Sequence, residues 1–201
     1  MNDLSANSVP FDASLIPRAA PPGNAAVWVL IYSELTEFAL FFLIFFVAKW
    51  FHPDVFRQGP LHLNTLAGTL NTLILISSSF FVARATRAIK IGDHPACKRW
   101  LWWTISAGAA YCGVKTWEYI WNVNAGIHSS ENLFFSIYYY LTFNHLLHVL
   151  IGMCVLLWAT LRTHFNAYGT DDHEGLEGAA MYWHMIDLAW IVIFPLLYVV
   201  R

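Results

Sequence analysis

The chain has 201 residues, of which 58% are hydrophobic and only 12% charged, and its mean hydropathy is +0.50. Soluble core-forming domains rarely reach such values, and the length leaves no room for a soluble module beside the apolar stretches. The net charge of −2 says nothing about soluble partners. The composition therefore predicts an integral membrane protein.

The apolar stretches define the expected domain organisation. Residues 1–24 contain four prolines and lack the apolar core of a signal peptide, so we expect a tail that is disordered or lies on the membrane surface. Five stretches follow, each close to the ~20 residues that a helix needs to cross about 30 Å of hydrocarbon. They cover residues 25–48, 64–85, 100–122, 134–161 and 177–200. The prediction is an all-α polytopic bundle of five transmembrane helices, with one membrane domain over residues 25–201.

The basic residues predict the orientation of this bundle. With five spans, seven lysine and arginine residues fall on one face of the membrane and three on the other. Because cytoplasmic loops carry the excess of positive charge, we expect a cytoplasmic amino terminus and a periplasmic carboxyl terminus. The basic loop over residues 84–99 is explained by this topology rather than by a nucleic-acid site, since it is a short connector.

Ionisable residues inside the spans are the candidates for function. Glu34 and Glu37 are three residues apart in the first span, and Lys115 and Glu118 are three apart in the third, so each pair shares a helix face. A charge at the bilayer centre costs about 2.5–3.5 kcal/mol on insertion scales, so such groups face the protein interior, become neutral or pair. Lys115 and Glu118 are expected to neutralise each other, with proton handling or subunit contact as alternatives.

The later spans add polar residues at helical spacing. His145 and His148 share one face of the fourth span, and His184 and Asp187 share one face of the fifth. Buried imidazoles commonly form hydrogen bonds across helices, so we expect the two faces to meet through imidazole-to-carboxylate or imidazole-to-carbonyl bonds and no metal to be bound. Asn71 gives the second span a hydrogen-bonding face of its own.

Taken in order, these motifs resemble subunit III of the haem–copper oxidases. The matching runs are Ser33-Glu34 leading to Phe41-Phe42, Leu70-Asn71-Thr72 with Ser77-Ser78, Glu118-Tyr119, His145-Leu146-Leu147-His148-Val149 followed by Gly152, and Glu177 together with Tyr182-Trp183-His184-Met185-Ile186-Asp187 and Trp190. One HxxH on a helix is a weak signal, whereas five ordered motifs are a strong one.

The resemblance implies an accessory subunit without a catalytic centre. Such a subunit holds no haem and no metal, packs against a catalytic membrane subunit of the respiratory electron transport chain, and supports its stability or proton supply. The implied location is the bacterial inner membrane, and a phospholipid is the one ligand expected. Glu34 matches the glutamate that reacts with hydrophobic carbodiimides in the family. The residues that match polar contacts between the last helices are His145, His148, Glu177, His184 and Asp187.

Departures from the oxidase pattern favour one branch of the family. The two helices that precede the glutamate-bearing helix in long forms have no counterpart here, and Glu37, Lys115 and Leu146 are not typical of the oxidase motif. The five-helix form occurs in quinol-oxidase subunit III and in the NorE-type protein encoded with nitric oxide reductase. We therefore expect a nitric oxide reductase partner and a role in denitrification, with subunit III of a cytochrome c or quinol oxidase as the alternative.

Two other function classes remain as weaker alternatives. A membrane metalloenzyme would use His145, His148, His184 and a carboxylate as ligands, although membrane di-iron enzymes need more histidine clusters than this sequence has. A transporter is suggested by the intramembrane charges, but it would require broken helices, and Pro195 is the only proline inside a span.

Overall fold

The computed structural model describes residues 24–170 and 172–200, so the expected tail lies outside the described residues apart from Asn24. This part of the chain is all-helical, as predicted. It forms six α-helices, which are α1 (Ala25–Phe51), α2 (Pro53–Gln58), α3 (Thr65–Lys90), α4 (His94–Asn124), α5 (Leu133–His164) and α6 (Glu174–Phe194). A 3-10 turn (Gly59–His62) follows α2, and a π-helical turn (Pro195–Val199) continues α6.

Four of the described helices are long and apolar enough to cross a membrane. These are α1, α3, α5, and α6 together with its π-helical continuation. Each of the five predicted spans lies in a long helix. Helix α4 has 31 residues, enough to cross a membrane, but it is less apolar than the other four. Its tryptophan, tyrosine and glycine residues, together with Lys115 and Glu118, lower its hydropathy. By length and composition the structure thus supports four spans rather than five, and the sixth helix, α2, is a short connector of 6 residues.

Side-chain caps fix where the long helices begin. Asn24, Asn64, Asp93 and Asn132 each precede a helix and accept a hydrogen bond, 3.0–3.1 Å long, from the backbone amide three residues later. Such caps satisfy amides that have no partner within the helix. At the end of α3, Gly92 has a φ of 77°, a left-handed conformation that favours glycine, and this allows a short connection into α4.

Helix α6 forms the centre of the bundle. In the most apolar stretch of α6, 61% of the residues are buried inside the bundle. In the corresponding stretch of α1, which lies at the periphery, only 17% are buried. Helix α6 contacts α1, α3 and α5, while α3 and α4 form the most extensive helix pair. The indole of Trp183 is fully buried and lies against Gly108 of α4 and Gly152 of α5. Small residues therefore allow close approach of the helices around this ring.

Candidate functional site

A cluster of two carboxylates, an imidazole and an amide lies where α1 meets α5. His148 Nε2 is 2.6 Å from Glu34 Oε2, and Asn144 Nδ2 donates to Glu37 Oε1 over 2.9 Å. Glu34 lies about 14 Å along α1 from Ala25, at a rise of 1.5 Å per residue, and is therefore deep in the span. The two glutamates meet α5 together because their i, i+3 spacing places them on one helix face.

The hydrogen bonds of His148 define where its protons lie. Its Nδ1 is 2.8 Å from the backbone carbonyl of Asn144. A carbonyl can only accept, so Nδ1 carries a proton and donates it. The 2.6 Å contact between Nε2 and Glu34 then contains one further proton, bound either to the carboxyl or to the imidazole. Glu34 and His148 therefore share a proton between α1 and α5.

A cavity of about 570 Å³ reaches Glu34. Its other end is lined by Asn24, Arg162, Asp172 and Glu174, which lie at or near the ends of α1, α5 and α6. The side chain of Glu34 keeps 19% of its surface exposed, in agreement with this access. The proton shared with His148 therefore has an open route toward one end of the bundle.

Arginine and tyrosine side chains form the polar end of this cavity. The Arg162 guanidinium lies 5.1 Å from the ring centre of Trp158 and 5.2 Å from that of Tyr168. The Tyr168 hydroxyl is buried and has no hydrogen-bond partner among the described residues. Burial raises the pKa of Tyr168, an effect that the nearby Arg162 opposes, so the hydroxyl stays a neutral donor. This end can donate hydrogen bonds to an anionic group.

The second ionisable pair, Lys115 and Glu118, is completely enclosed. Neither side chain has any exposed surface, and Lys115 Nζ lies 3.0 Å from Glu118 Oε2. Tyr138 and Tyr198 donate their hydroxyls to Glu118 Oε1 over 2.8 Å and 2.6 Å. The rings that surround the ammonium, with centres 5.0–5.7 Å from it, belong to Tyr119, Tyr138, Trp190 and Tyr198.

The pair of Lys115 and Glu118 at the centre of this network is saturated with hydrogen bonds. Lys115 also donates to the hydroxyls of Tyr138 and Tyr198, so all three of its protons have acceptors. It joins α4, α5 and the π-helical turn after α6. Both charges are buried inside the chain and present no surface to another subunit, and their hydrogen bonds link these helices to one another.

The remaining histidines of the spans are used in separate contacts. His145 Nε2 lies 3.1 Å from the carbonyl of Ile186, and its Nδ1 lies 2.9 Å from the Tyr111 hydroxyl. The carbonyl requires a donor at Nε2, which leaves Nδ1 to accept from the tyrosine. His145 is therefore neutral with both nitrogens occupied, and it forms an imidazole-to-carbonyl contact between α5 and α6.

His184 points to a different helix from the one expected. Its Nδ1 lies 2.6 Å from Ser79 Oγ of α3 rather than near the histidines of α5. Two tryptophans of α6 also form hydrogen bonds with α3: Trp183 donates to the Ser78 hydroxyl and Trp190 to the Thr72 hydroxyl, both over 2.9 Å. Of the contacts expected between α5 and α6, the imidazole-to-carbonyl bond is formed by His145 and Ile186. The imidazole-to-carboxylate bond to Asp187 is not formed within the described residues, and His184 meets α3 instead.

The other three sequence candidates lie on α3 and α6. Glu177 forms an ion pair with Lys90 of α3 at 2.6 Å. Asn71 and Asp187 are buried, but neither side chain has a hydrogen-bond partner among the described residues. The interhelical hydrogen bonds expected of Asn71 and Asp187 are therefore not formed in this part of the chain, because serine and threonine of α3 take the donors of α6 instead.

Only one group in the described residues has the geometry to share a metal ion. Glu34, Glu37 and His148 each offer a ligand atom, and these atoms lie within 4.8 Å of one another. His145 and His184 are not part of it, so the ligand set of the metalloenzyme alternative is not brought together. No site role was predicted from the sequence for Asn144, which bonds to two of these residues, or for Tyr138 and Tyr198, which bind Glu118.

Comparison with known proteins gives a consistent family. The sequence profile described as cytochrome c oxidase subunit III matches residues 23–200. The chain is 34% identical to cytochrome c oxidase subunit 3 of Thermostichus vulcanus, over 85% of this chain and 84% of that protein. It is 31% identical to the subunit of the same name from Synechocystis sp., over 86% of this chain and 73% of that protein.

A third relative comes from another bacterial genus. It is the probable cytochrome c oxidase subunit 3 of Nocardia farcinica, 29% identical over 90% of both chains. All three relatives carry oxidase names, and none of the three is named for a nitric oxide reductase. The described fold, with several helices able to cross a membrane, agrees with a membrane subunit. The chain belongs to the cytochrome c oxidase subunit III family.

Proposed function

We propose that this protein is subunit III of a haem–copper oxidase. It binds neither haem nor copper, packs against the catalytic membrane subunit and supports that subunit's stability and proton supply. Family membership supports the accessory role. Both ring nitrogens of His145 are hydrogen bonded, which leaves this imidazole unavailable as an axial ligand. Bacterial relatives support a location in the bacterial inner membrane.

Proton supply is supported by one observation, the proton shared by Glu34 and His148 at the wall of a cavity. A carboxyl that can pass its proton to an imidazole and regain it from a water-accessible cavity is suited to relay protons. The acidic side chains of Asp172 and Glu174 line the far end of that cavity. They would raise the local proton concentration at its entrance.

The topology that fits this function has five spans. Helix α4 is as long as its neighbours and packs along α3, which favours its crossing the membrane with α3 despite its lower hydropathy. A cytoplasmic amino terminus then places the polar end of the cavity in the cytoplasm and the carboxyl terminus in the periplasm. Reporter fusions at Gly92 and Ser129, before and after α4, should lie on opposite faces. Fusions on the same face would contradict a crossing by α4.

A phospholipid is the ligand we propose for the cavity. Arg162 and the Tyr168 hydroxyl can bind a phosphate, while Asp172 and Glu174 can bind a headgroup amine. Val27, in the first turn of α1 beside this polar end, provides an apolar wall for the start of an acyl chain. Native mass spectrometry of the detergent-purified protein should detect one retained phospholipid. Arg162→Ala should lose it, whereas Arg99→Ala, on α4 and away from the cavity, should keep it.

Purification from the native membrane tests the accessory role directly. A tagged chain, extracted in mild detergent, should carry with it a haem-containing subunit with oxidase activity, while the separated chain should show no Soret absorption. In that complex, Glu34→Gln should assemble normally. As the pH rises and protons become scarce, the turnover of the variant should begin to fall at a lower pH than that of the parent protein. Glu131→Gln, in the loop before α5, is the matched control. Recovery of the chain without any haem protein would refute the proposal.

A NorE-type partner of nitric oxide reductase is the second candidate. Two residues that are not typical of the oxidase motif, Glu37 and Lys115, favour it. Both form hydrogen bonds inside the bundle, Glu37 with Asn144 and Lys115 with Glu118. The same purification distinguishes the two. Oxygen consumption by the complex supports the oxidase, and reduction of nitric oxide without oxygen consumption supports the reductase.

A further inference from the structure

The two carboxylates and the imidazole between α1 and α5 lie close enough to hold one ion. Their three ligand atoms, from Glu34, Glu37 and His148, are all within 4.8 Å of one another. Tetrahedral zinc, with bonds of about 2.0–2.1 Å, places neighbouring ligand atoms about 3.3 Å apart. The 2.6 Å contact of Glu34 with His148 would open slightly and the third ligand would move inward.

Asn144 already orients two of these ligands. Its backbone carbonyl accepts from His148 Nδ1 and its side-chain amide donates to Glu37 Oε1. Histidines that bind metals usually donate their second ring N–H to a carbonyl or carboxylate, which fixes the tautomer and aims the other nitrogen at the ion. The Nε2 of His148 is aimed in this way at Glu34. This arrangement distinguishes the cluster from a chance grouping of acidic side chains.

Access and charge also suit a divalent cation. Glu34 lines the cavity, so an ion can arrive from the end of the bundle without opening the helices. Two carboxylates neutralise a divalent cation, and a neutral complex avoids the large penalty of an isolated charge in an apolar region. Lys115 and Glu118 offer no comparable site, since both are fully enclosed and already neutralise each other.

We propose that Glu34, Glu37 and His148 form a reversible binding site for a divalent transition-metal ion of the zinc type. The ion takes the place of the proton held between Glu34 and His148, and that proton leaves through the cavity to solvent. No electron is transferred. A mixed set of imidazole and carboxylate ligands favours Zn²⁺ over Mg²⁺ or Ca²⁺, which prefer oxygen ligands alone.

The inferred site is exchangeable, and is therefore distinct from the resident metal centre whose absence the sequence predicts. Binding depends only on the described residues of this chain. Its consequence, that an ion at Glu34 blocks proton uptake by the partner enzyme, rests on the proposed function. Tests on the isolated chain therefore separate the two, because they need no catalytic subunit.

Cobalt provides the first test, since tetrahedral Co²⁺ absorbs visible light and reports zinc sites. The full chain in lipid nanodiscs should bind one Co²⁺ at the cluster, and Zn²⁺ but not excess Mg²⁺ should displace it. Glu37→Gln and His148→Gln should each weaken binding by about tenfold or more. His128→Gln, in the loop after α4, is the control and should bind as the parent does. Equal affinity in Glu37→Gln, His148→Gln and the control would overturn the site.

A second test needs no variant and is therefore unaffected by misfolding. Zn²⁺ should protect Glu34 of the parent protein from a hydrophobic carbodiimide, with labelling quantified by mass spectrometry of the peptide that contains it. We expect a several-fold drop in labelling with Zn²⁺ and no change with the same concentration of Mg²⁺. Labelling of Glu34 that is equal with and without Zn²⁺ would refute binding at this cluster.

Discussion

The two acid–base clusters of the bundle differ in their access to solvent. Glu34 and His148 share a proton beside a cavity, and 19% of the Glu34 side chain is exposed. Lys115 and Glu118 lie in the carboxyl-terminal half of α4, and their side chains have no exposed surface. Both clusters place ionisable groups in an apolar bundle, yet of the two only the first borders a cavity.

Saturation of hydrogen bonds explains what each cluster can do. Every proton of Lys115 has an acceptor and both oxygens of Glu118 have donors, so a change of protonation would break several contacts at once. The contact of Glu34 with His148 holds a single proton that either group can carry. A buried ionisable group in a span therefore indicates function when it has a route to solvent and an incomplete set of partners. Without these features it indicates structure.

The largest expected effect comes from removing one partner of the enclosed pair. Lys115→Ala leaves Glu118 buried without its counter-charge, which should destabilise the chain by about 3–5 kcal/mol. Glu34→Gln keeps a hydrogen-bonding group beside the cavity and should change stability by less than about 1 kcal/mol. Chemical denaturation in detergent, followed by tryptophan fluorescence, measures both.

A double variant distinguishes lost charge from lost volume. Lys115→Met combined with Glu118→Gln removes both charges and keeps an acceptor for the hydroxyls of Tyr138 and Tyr198. It should recover most of the stability lost in Lys115→Ala. If Lys115→Ala were instead as stable as Glu34→Gln, the contrast between the two clusters would fail.

The close packing of α5 against α6 should be the next most sensitive feature. A Cβ on Gly152 would lie 2.7 Å from Ile186 Cδ1 and 3.0 Å from Trp183 Cε3, so Gly152→Ala should destabilise the bundle by about 1–3 kcal/mol. Gly113→Ala, on α4, meets no atom within 4 Å and should stabilise its helix by up to about 1 kcal/mol. The same denaturation measurement should give opposite signs, and equal signs would contradict close packing at Gly152.

Chemical labelling compares the access of the two clusters directly. A hydrophobic carbodiimide should modify Glu34 at least about tenfold faster than Glu118, a difference in barrier of about 1.4 kcal/mol. Glu34→Gln should abolish the labelled peptide. Labelling of the terminal carboxylates Glu174 and Glu177 without any at Glu34 would show that the cavity gives no access.

Much of this arrangement follows from helical periodicity. Five apolar stretches predicted the five long helices, and the i, i+3 spacing predicted that Glu34 and Glu37, or Lys115 and Glu118, share a face. The sequence also predicted that α4 crosses the membrane, but α4 is not apolar enough to be counted among the spans, because its central stretch is rich in aromatic residues and glycine. Periodicity describes the face of a helix and not the composition needed to enter lipid.

Which helix a given face meets could not be predicted from spacing. His148 and His184 were expected to bring α5 and α6 together, but they contact Glu34 of α1 and Ser79 of α3. Their spacing fits any neighbour with a polar atom at the same depth. Tyr138 lies in a run of three tyrosines typical of the membrane interface, so its buried hydroxyl beside Glu118 carried no sequence signal.

The smallest expected effect tests these individual interhelical hydrogen bonds. Such bonds average about 0.6 kcal/mol and reach about 1.7 kcal/mol in membrane proteins, so Ser79→Ala should loosen the contact with His184 by that amount. Asp187 has no hydrogen-bond partner among the described residues, so Asp187→Asn should cost no more than Ser79→Ala. This reverses the order expected if Asp187 had bound an imidazole.

Turnover of the assembled complex decides whether these residues are structural. Since neither Ser79 nor Asp187 borders the cavity, both variants should lower the yield or endurance of the complex while initial turnover per catalytic subunit stays within about twofold. The measurement is the initial rate, normalised to haem, followed by its decay with time. If Asp187→Asn stopped turnover at once in a fully assembled complex, Asp187 would belong to the proton path. Proton transfer would then involve Asp187 as well as the cluster at Glu34.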